Sequence, residues 1–193
     1  QPDIQLVTTG LCSITNENKV LGYRLARATN DEKFTVSDVI FGKADIAHAT
    51  IMARKSWYVL NRYNEKAKLM EDYQLWIDAA IKNSLNVGYL QEPLYFYREQ
   101  SSVSSAKAIN AYKNQSKLIV SNYFSYLSAP HKIKFTALTA LKISIVFSLN
   151  IIGKSNKLLK LRNNKTTQNL QKINALQDQL DVLNNLHDQN NID

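Results

Sequence analysis

All the excess positive charge of this chain lies in one stretch of 61 residues. Residues 105–165 contain 11 Lys and Arg and no acidic residue, whereas residues 1–104 contain 12 basic and 12 acidic residues. Residues 166–193 contain one Lys and four Asp, which brings the net charge of the 193-residue chain to +8. This asymmetry divides the chain into three regions. It favours a polyanionic partner for the central region, either nucleic acid or anionic lipid.

The central region also contains an apolar run with a helical period, and we expect residues 105–165 to be mainly helical. Five aliphatic residues recur there every three or four positions: Leu138, Leu141, Ile145, Leu149 and Ile152. Residues 135–152 carry a single charge, which is borderline for a membrane span. The flanking lysines favour an amphipathic helix lying in the plane of an anionic membrane surface. A bundle helix packed on the protein has the same period, and the sequence leaves both interpretations open.

The first region, residues 1–104, alternates predicted strands and helices, which is typical of a layered α/β domain. The predicted strands are 5–15, 20–28, 46–53, 87–90 and 94–98. We expect the first two to form a hairpin and Pro93 to separate the last two. One predicted helix is capped by Asp31 and ended by Gly42, and the others cover 56–60 and 71–83.

The third region, residues 166–193, is polar and rich in Asn and Gln. Four aliphatic residues in it alternate steps of three and four: Ile173, Leu176, Leu180 and Leu183. Two heptads are too few to predict a coiled coil. A polar helix, a weak homo-oligomerisation segment and partial disorder all fit this pattern.

The most informative segment of the first region is an acidic pair, Glu71 and Asp72, at the start of a predicted helix. The amides and dipole of a helix N-terminus favour an ionised carboxylate. An Asp held there beside the aromatic ring of Trp76 has the placement that a general base needs in order to take a proton from a bound hydroxyl. The plainer interpretation is that first-turn carboxylates only stabilise the helix.

Five short motifs in a fixed order add to that observation. They are Ile46-Ala47-His48-Ala49-Thr50-Ile51-Met52, Arg54-Lys55, Tyr63-Asn64-Glu65, Glu71-Asp72-Tyr73-Gln74-Leu75-Trp76 and Glu92-Pro93-Leu94-Tyr95-Phe96-Tyr97-Arg98. Together they resemble the second half of family-2 glycosyltransferases, over about residues 4–104. The resemblance implies the acceptor-side half of a mixed-sheet GT-A domain. It also implies an inverting enzyme that moves a sugar from a nucleotide-diphosphate donor to a saccharide or lipid-linked saccharide acceptor, in surface polysaccharide synthesis.

The same resemblance assigns roles to particular residues. Asp72 would be the base that deprotonates the acceptor, and Glu71 would orient or bind that acceptor. His48 would lie on a strand near the sugar, and Trp76 would pack behind the acidic pair. Arg98 would sit near the phosphates, where a guanidinium suits a diphosphate. As plainer alternatives, His48 and Trp76 are ordinary packed side chains and Arg98 pairs with Glu92 or Glu99.

The chain departs from the family pattern in several places. Ala49, Asn61-Arg62 and Gln74 replace usual family residues, and Gln100 stands where many members carry a histidine. The sequence contains no Asp-x-Asp motif, so the oxygen ligands of the expected Mg²⁺ or Mn²⁺ would lie in a preceding segment. We therefore expect a C-terminal portion of a longer enzyme, inactive by itself.

Composition argues against several other classes of site. One cysteine and three scattered histidines do not supply a zinc site of usual spacing, and no Gly-rich phosphate loop is present. The single Cys12 suits a reducing compartment, and we expect a cytoplasmic protein that is peripheral on the bacterial inner membrane. Two rivals rank below the transferase: a basic nucleic-acid-binding module, and a non-catalytic scaffold that pairs through residues 166–193.

Overall fold

The computed structural model describes residues 4–28, 32–65, 67, 69–98, 105–151 and 169–190. The strands are β1 (Leu6–Ile14), β2 (Val20–Arg24), β3 (Glu32–Lys33), β4 (Met52–Ala53) and β5 (Asn86–Arg98). The helices are α1 (Val36–Ile40), α2 (Lys55–Leu60), α3 (Glu71–Ile81), α4 (Ser105–Leu118), α5 (Ala129–Ile151) and α6 (Leu170–Asn190). A 3₁₀ turn covers His48–Thr50, and a π-type turn followed by a second 3₁₀ turn joins α4 to α5.

The strands form one mixed sheet in the order β2-β1-β5-β3, with β4 added to the start of β1. β1 and β5 run parallel, and the other pairs are antiparallel. The α/β class predicted for residues 1–104 is therefore confirmed. The predicted hairpin is also confirmed, with Cys12 opposite Tyr23, although β2 ends at Arg24.

The predicted interruption at Pro93 is wrong, because β5 runs without a break through that residue. Its register against β1 shifts on both sides of Gly10, so Gln91 and Glu92 bulge out of the pairing before Pro93, and Leu94 after it. Proline lacks a ladder N–H and is accepted at such a bulge. A Cβ on Gly10 would lie 2.6 Å from the Arg24 carbonyl oxygen and 2.7 Å from that of Gln91, so only glycine fits there.

The predicted strand over residues 46–53 is also wrong. The chain makes the 3₁₀ turn instead, and only the two residues of β4 pair with β1. Met52 is largely exposed, so the apolar run is not buried on both sides as a central strand would be. The side chain of Thr50 takes over the contact with β1 by accepting a hydrogen bond from Thr9 N at 3.0 Å.

Helix α1 begins with a capping box rather than at Asp31, which lies outside the described residues. Thr35 Oγ1 accepts a hydrogen bond from Asp38 N at 3.2 Å, and Asp38 Oδ2 accepts one from Thr35 N at 3.1 Å. Gly42 follows the helix with a φ of 74°, the left-handed conformation that favours glycine. The predicted stop signal is therefore confirmed, and the predicted cap is replaced by Thr35.

Two apolar cores pack along the sheet. The larger one joins α1, α2 and α3 to the lower half of β1 and β5, around Leu6, Trp57, Leu75 and Val87. The smaller one joins the upper half of β1 to β2 and α6. Its fully or nearly buried members are Cys12, Ile14, Tyr23, Leu176 and Leu180.

The predicted helical character of the C-terminal half is confirmed for the described residues 105–151 and 170–190. Among the described helices, α5 is the one whose length and composition suit a membrane span, and 11% of its most apolar window is buried. Core helices of soluble proteins meet the same length and composition test. Ile152 and the basic residues of 153–165 lie outside the described residues.

Helix α6 packs on the β1–β2 hairpin. Leu176 and Leu180 are buried there with Ile173 beside them, and Gln177 Oε1 accepts a hydrogen bond from Val20 N at 2.8 Å. Of the alternatives for the third region, the helical one therefore holds for residues 170–190. Leu183, the last member of the aliphatic series, is exposed. Homo-oligomerisation through this helix stays a prediction.

Candidate active site

The acidic pair lies where two separate segments of the chain meet. Asp72 is in the first turn of α3, and its Oδ1 lies 3.3 Å from Nε2 of His48 in the 3₁₀ turn. Both side chains are close to half exposed, 47% for Asp72 and 42% for His48. A carboxylate in this state is partly desolvated and still accessible to a ligand. The structure thus brings together the two polar residues on which the sequence interpretation depended.

Glu71 occupies a different position from its neighbour. Its Oε1 accepts a hydrogen bond at 3.1 Å from N of Leu69, whose own φ is 64°. The side chain therefore folds back over the start of α3 and stabilises the turn that leads into it. Its negative charge is nevertheless near enough to Asp72 to affect that residue's titration.

His48 is positioned by threonine contacts between its turn and β1. Thr50 Oγ1 lies 2.8 Å from Thr8 Oγ1, and Thr8 Oγ1 in turn accepts a hydrogen bond from Ala47 N at 3.3 Å. Thr8 is fully buried. The polar groups of this contact thus satisfy one another, and they fix the turn that carries His48 against the sheet.

Aromatic rings surround the imidazole of His48. The Tyr63 ring centroid lies 6.0 Å away in an edge-on arrangement, and the Trp76 centroid lies 6.1 Å away. Trp76 is buried and stacks on Trp57 at 5.9 Å, and Trp57 Nε1 donates a hydrogen bond to the Ser84 carbonyl at 2.7 Å. Trp76 is therefore both a core side chain and the back wall of the site. Its role behind the acidic pair stays a prediction.

Burial raises the pKa of Asp72 above the usual aspartate range. The positive charge of His48 lowers the pKa, and the negative charge of Glu71 raises it further. Burial also raises the pKa of Tyr63 to about 12, with contributions from Tyr58 and Asp72. Tyr63 therefore keeps its proton at neutral pH and can donate a hydrogen bond.

A cleft of about 310 Å³ opens beside the acidic pair. Its wall combines the start of α3 with one face of α4, and the lining residues are Leu69, Met70, Glu71, Asp72, Tyr73, Ala111, Tyr112 and Gln115. Its floor and walls are mixed polar and apolar, which suits a ligand that carries both hydroxyl groups and apolar ring faces. The contribution of α4 has no counterpart in the five sequence motifs.

Sequence reasoning did not single out Tyr63, Tyr112 or Gln115 as site residues. Tyr63 belongs to the third sequence motif, and that membership is the sequence feature that could have identified it as a site residue. Tyr112 and Gln115 belong to a helix whose packing on α3 only the tertiary structure shows. Helical periodicity alone does not tell which face of α4 lines a cleft.

Arg98 is not brought to this site. Its guanidinium donates hydrogen bonds to the backbone oxygens of Thr15 at 2.8 Å and Asn16 at 2.9 Å, and also to the Asn18 side chain. It thereby holds the β1–β2 turn. Arg98 pairs with Ile14, five residues along β1 from Thr9, a separation of about 16 Å at the usual strand rise.

The described residues do not by themselves fit the expected Mg²⁺ or Mn²⁺. Such a hard cation takes several oxygen ligands at once. Within the described ranges, no three His, Cys, Asp or Glu side chains gather as a metal-ligand group. Asp72 contacts His48, and Glu71 accepts a hydrogen bond from Leu69 N. No chemical step is therefore assigned to a metal at this site.

Comparison of the chain with protein-family models, with curated proteins and with solved structures finds no match in any of the three. The family resemblance of the five motifs therefore stays a prediction. Assignment of a function depends on the geometry of Asp72, His48 and their surroundings.

Proposed function

We propose that this chain is the acceptor-side part of an inverting glycosyltransferase with a GT-A-type domain, and that Asp72 is its general base. The substrate class is a saccharide or lipid-linked saccharide whose hydroxyl group receives a sugar from a nucleotide-diphosphate donor. The single observation that carries the proposal is the position of Asp72. It is half exposed at a cleft, in contact with His48 and backed by aromatic rings.

In the proposed mechanism the acceptor hydroxyl donates a hydrogen bond to the Asp72 carboxylate. The hydroxyl oxygen then attacks the anomeric carbon from the face opposite the diphosphate, and its proton passes to Asp72. The carbon–oxygen bond to the diphosphate breaks as the new glycosidic bond forms, through an oxocarbenium-like transition state. The diphosphate leaves with the electron pair of the broken bond.

The neighbours of Asp72 have opposite effects on its strength as a base. The charge of protonated His48 favours the ionised carboxylate, while burial and Glu71 make that carboxylate a stronger proton acceptor. A base whose pKa lies above the usual aspartate range takes a hydroxyl proton more readily than an ordinary aspartate. Tyr63 is exposed and presents apolar ring surface against which a sugar ring can pack, and the buried Trp76 lies behind His48.

The decisive experiment is Asp72→Asn in the protein encoded by the complete reading frame. Transfer from a panel of radiolabelled nucleotide-diphosphate sugars to saccharide acceptors should fall by about 100-fold to 10,000-fold, the usual contribution of a general base. Donor binding should be nearly unchanged, because the isosteric amide removes a proton acceptor and little else. The matched control is Asp38→Asn, because Asp38 contacts Thr35 and Lys43 at α1 and is not part of the site.

Two results would contradict the proposal. If Asp72→Asn transfers sugar as fast as the unaltered protein, Asp72 is not the base. If the unaltered protein transfers none of the sugars and the chain binds no saccharide by ligand-observed NMR, the transferase assignment fails as a whole.

A further inference from the structure

Helix α5 has two faces in very different surroundings. Phe135 and Val146 are buried, and the helix packs along α4. On the opposite side five large apolar residues are exposed, within an arc of about 160° at the usual helical twist of about 100° per residue. They are Ile133, Leu141, Ile145, Phe147 and Ile151, and we call them the outer face of α5.

Side-chain contacts attach α5 to the rest of the protein between His131 and Lys142. The His131 ring lies 5.4 Å from the Phe41 ring, and Lys134 Nζ lies 4.8 Å from the centre of that same ring. Further along, Lys142 Nζ lies 5.7 Å from the Tyr112 ring centre of α4. A helix crossing a bilayer would have to give up these contacts. The helix can keep them if it lies flat with only its outer face in an apolar medium.

The charge around this face selects the kind of surface that covers it. Helices α4 and α5 together carry six lysines and no acidic residue: Lys107, Lys113, Lys117, Lys132, Lys134 and Lys142. All charged side chains of α4 and α5 are therefore positive. A purely apolar protein surface would make no favourable electrostatic interaction with them. Anionic lipid headgroups above an acyl interior match both properties, since they attract lysines and accept apolar side chains.

We propose that the outer face of α5 inserts into the headgroup region of an anionic bilayer, with α5 parallel to the membrane plane. The inference rests on exposure, packing and charge in α4 and α5. It does not depend on the proposed transferase activity.

The test is flotation of the full chain with phosphatidylglycerol–phosphatidylcholine vesicles and with phosphatidylcholine vesicles alone. The unaltered chain should bind the anionic vesicles and release from them at high salt. The double variant Leu141→Glu and Phe147→Glu should bind at least about tenfold more weakly, because two large apolar side chains no longer enter the lipid. Both residues are more than half exposed, so the fold should persist.

The matched control is the double variant Val182→Glu and Leu186→Glu on α6. It replaces two similarly exposed apolar residues and changes the net charge equally. It should bind anionic vesicles more tightly than the outer-face double variant, since only long-range attraction changes. Circular dichroism of each variant checks that helix content is retained.

Three outcomes overturn the proposal. Equal loss of vesicle binding in both double variants would show that net charge alone is responsible. A dimer in sedimentation that Leu141→Glu with Phe147→Glu dissociates would assign the outer face to a second copy of the chain. Salt-sensitive binding to an oligonucleotide with no binding to anionic vesicles would assign the basic surface to nucleic acid.

Discussion

Nε2 of His48 and Oδ1 of Asp72 lie 3.3 Å apart, joining a turn after the β-hairpin to the first turn of α3. Neither the turn nor α3 is held in place by contacts within itself alone. The turn depends on Thr50 and β1, and α3 depends on the apolar core beneath it. The contact is therefore a sensitive measure of whether the two parts of the site are correctly assembled.

The neighbours of Asp72 should shift its pKa in opposite directions. His48→Gln removes the imidazole whose electrostatic effect lowers the pKa of Asp72, so that pKa should rise further above its usual range. Glu71→Gln removes a negative charge, so the pKa should fall. Carboxyl-carbon NMR titration of Asp72 measures both changes. His131→Gln, whose ring packs on Phe41, is the control and should leave the titration unaltered.

The raised pKa of Asp72 predicts a particular dependence of stability on pH. The folded protein binds this proton more tightly than the unfolded chain, so the resulting stability is complete below the unfolded pKa of about 4. That stability is lost as the pH rises through the folded pKa. Asp72→Asn cannot lose stability in this way. Its free energy of unfolding should therefore increase relative to that of the unaltered protein as the pH rises. Urea unfolding across the acidic range measures the difference.

Asp38→Asn should show the opposite trend and serves as the comparison. Burial opposes ionisation of Asp38, but hydrogen bonds from Lys43 and Thr35 together with the Lys43 charge hold its pKa below the usual range. Its contribution is present above the unfolded pKa and is lost as the pH falls. The free energy of unfolding of Asp38→Asn should therefore increase relative to that of the unaltered protein as the pH falls. Parallel trends for the two variants would contradict both assignments.

Thr50→Val should destabilise the protein and disturb the site. The substitution keeps the shape of the side chain but leaves the buried Thr8 hydroxyl and Thr9 N without this partner, at a cost of about 1–3 kcal/mol. The pKa of Asp72 should also change, because His48 loses its fixed position. Thr136→Val on exposed α5 is the matched control, with an expected cost below about 0.5 kcal/mol. Equal costs would show that Thr50 does not position the turn.

Two leucines on α6 should differ sharply in their effect on stability. Leu180 is buried in the smaller core, and Leu180→Ala should cost about 2–5 kcal/mol in the free energy of unfolding. Leu183, three residues later, is exposed, and Leu183→Ala should cost less than about 0.5 kcal/mol. Chemical denaturation measures both. Similar values for the pair would contradict the docking of α6 on the hairpin.

Local patterns in the sequence were sufficient for the hairpin, for α2 and α3, and for the helical C-terminal half. Each of these carries a complete short-range signal, such as turn residues between two β-rich segments or apolar residues at helical spacing. The strand expected around His48 failed because an apolar run does not reveal that Thr50 will hydrogen-bond to β1. The break expected at Pro93 failed because the bulge depends on the facing Gly10.

The site shows the same division between local and tertiary information. Asp72 and Trp76 share one helix turn, so their proximity follows from spacing alone. The contact with His48, the ring of Tyr63 and the cleft wall from α4 all depend on which surfaces pack together. Arg98 belongs to the last of the five motifs, and the parallel pairing of β5 with β1 carries it to the hairpin turn instead of the site.

Because Gly10 has no side chain, it should limit how far local unfolding spreads along the sheet. Gly10 separates the part of β1 that carries Thr8, which contacts the turn of His48, from the part that packs with α6. A side chain at this position would meet the backbone oxygens of Arg24 and Gln91, so none links the two parts through residue 10. Fraying of α6 and the hairpin tip should therefore stop at this residue, leaving amide protons near Asp72 protected from exchange with solvent.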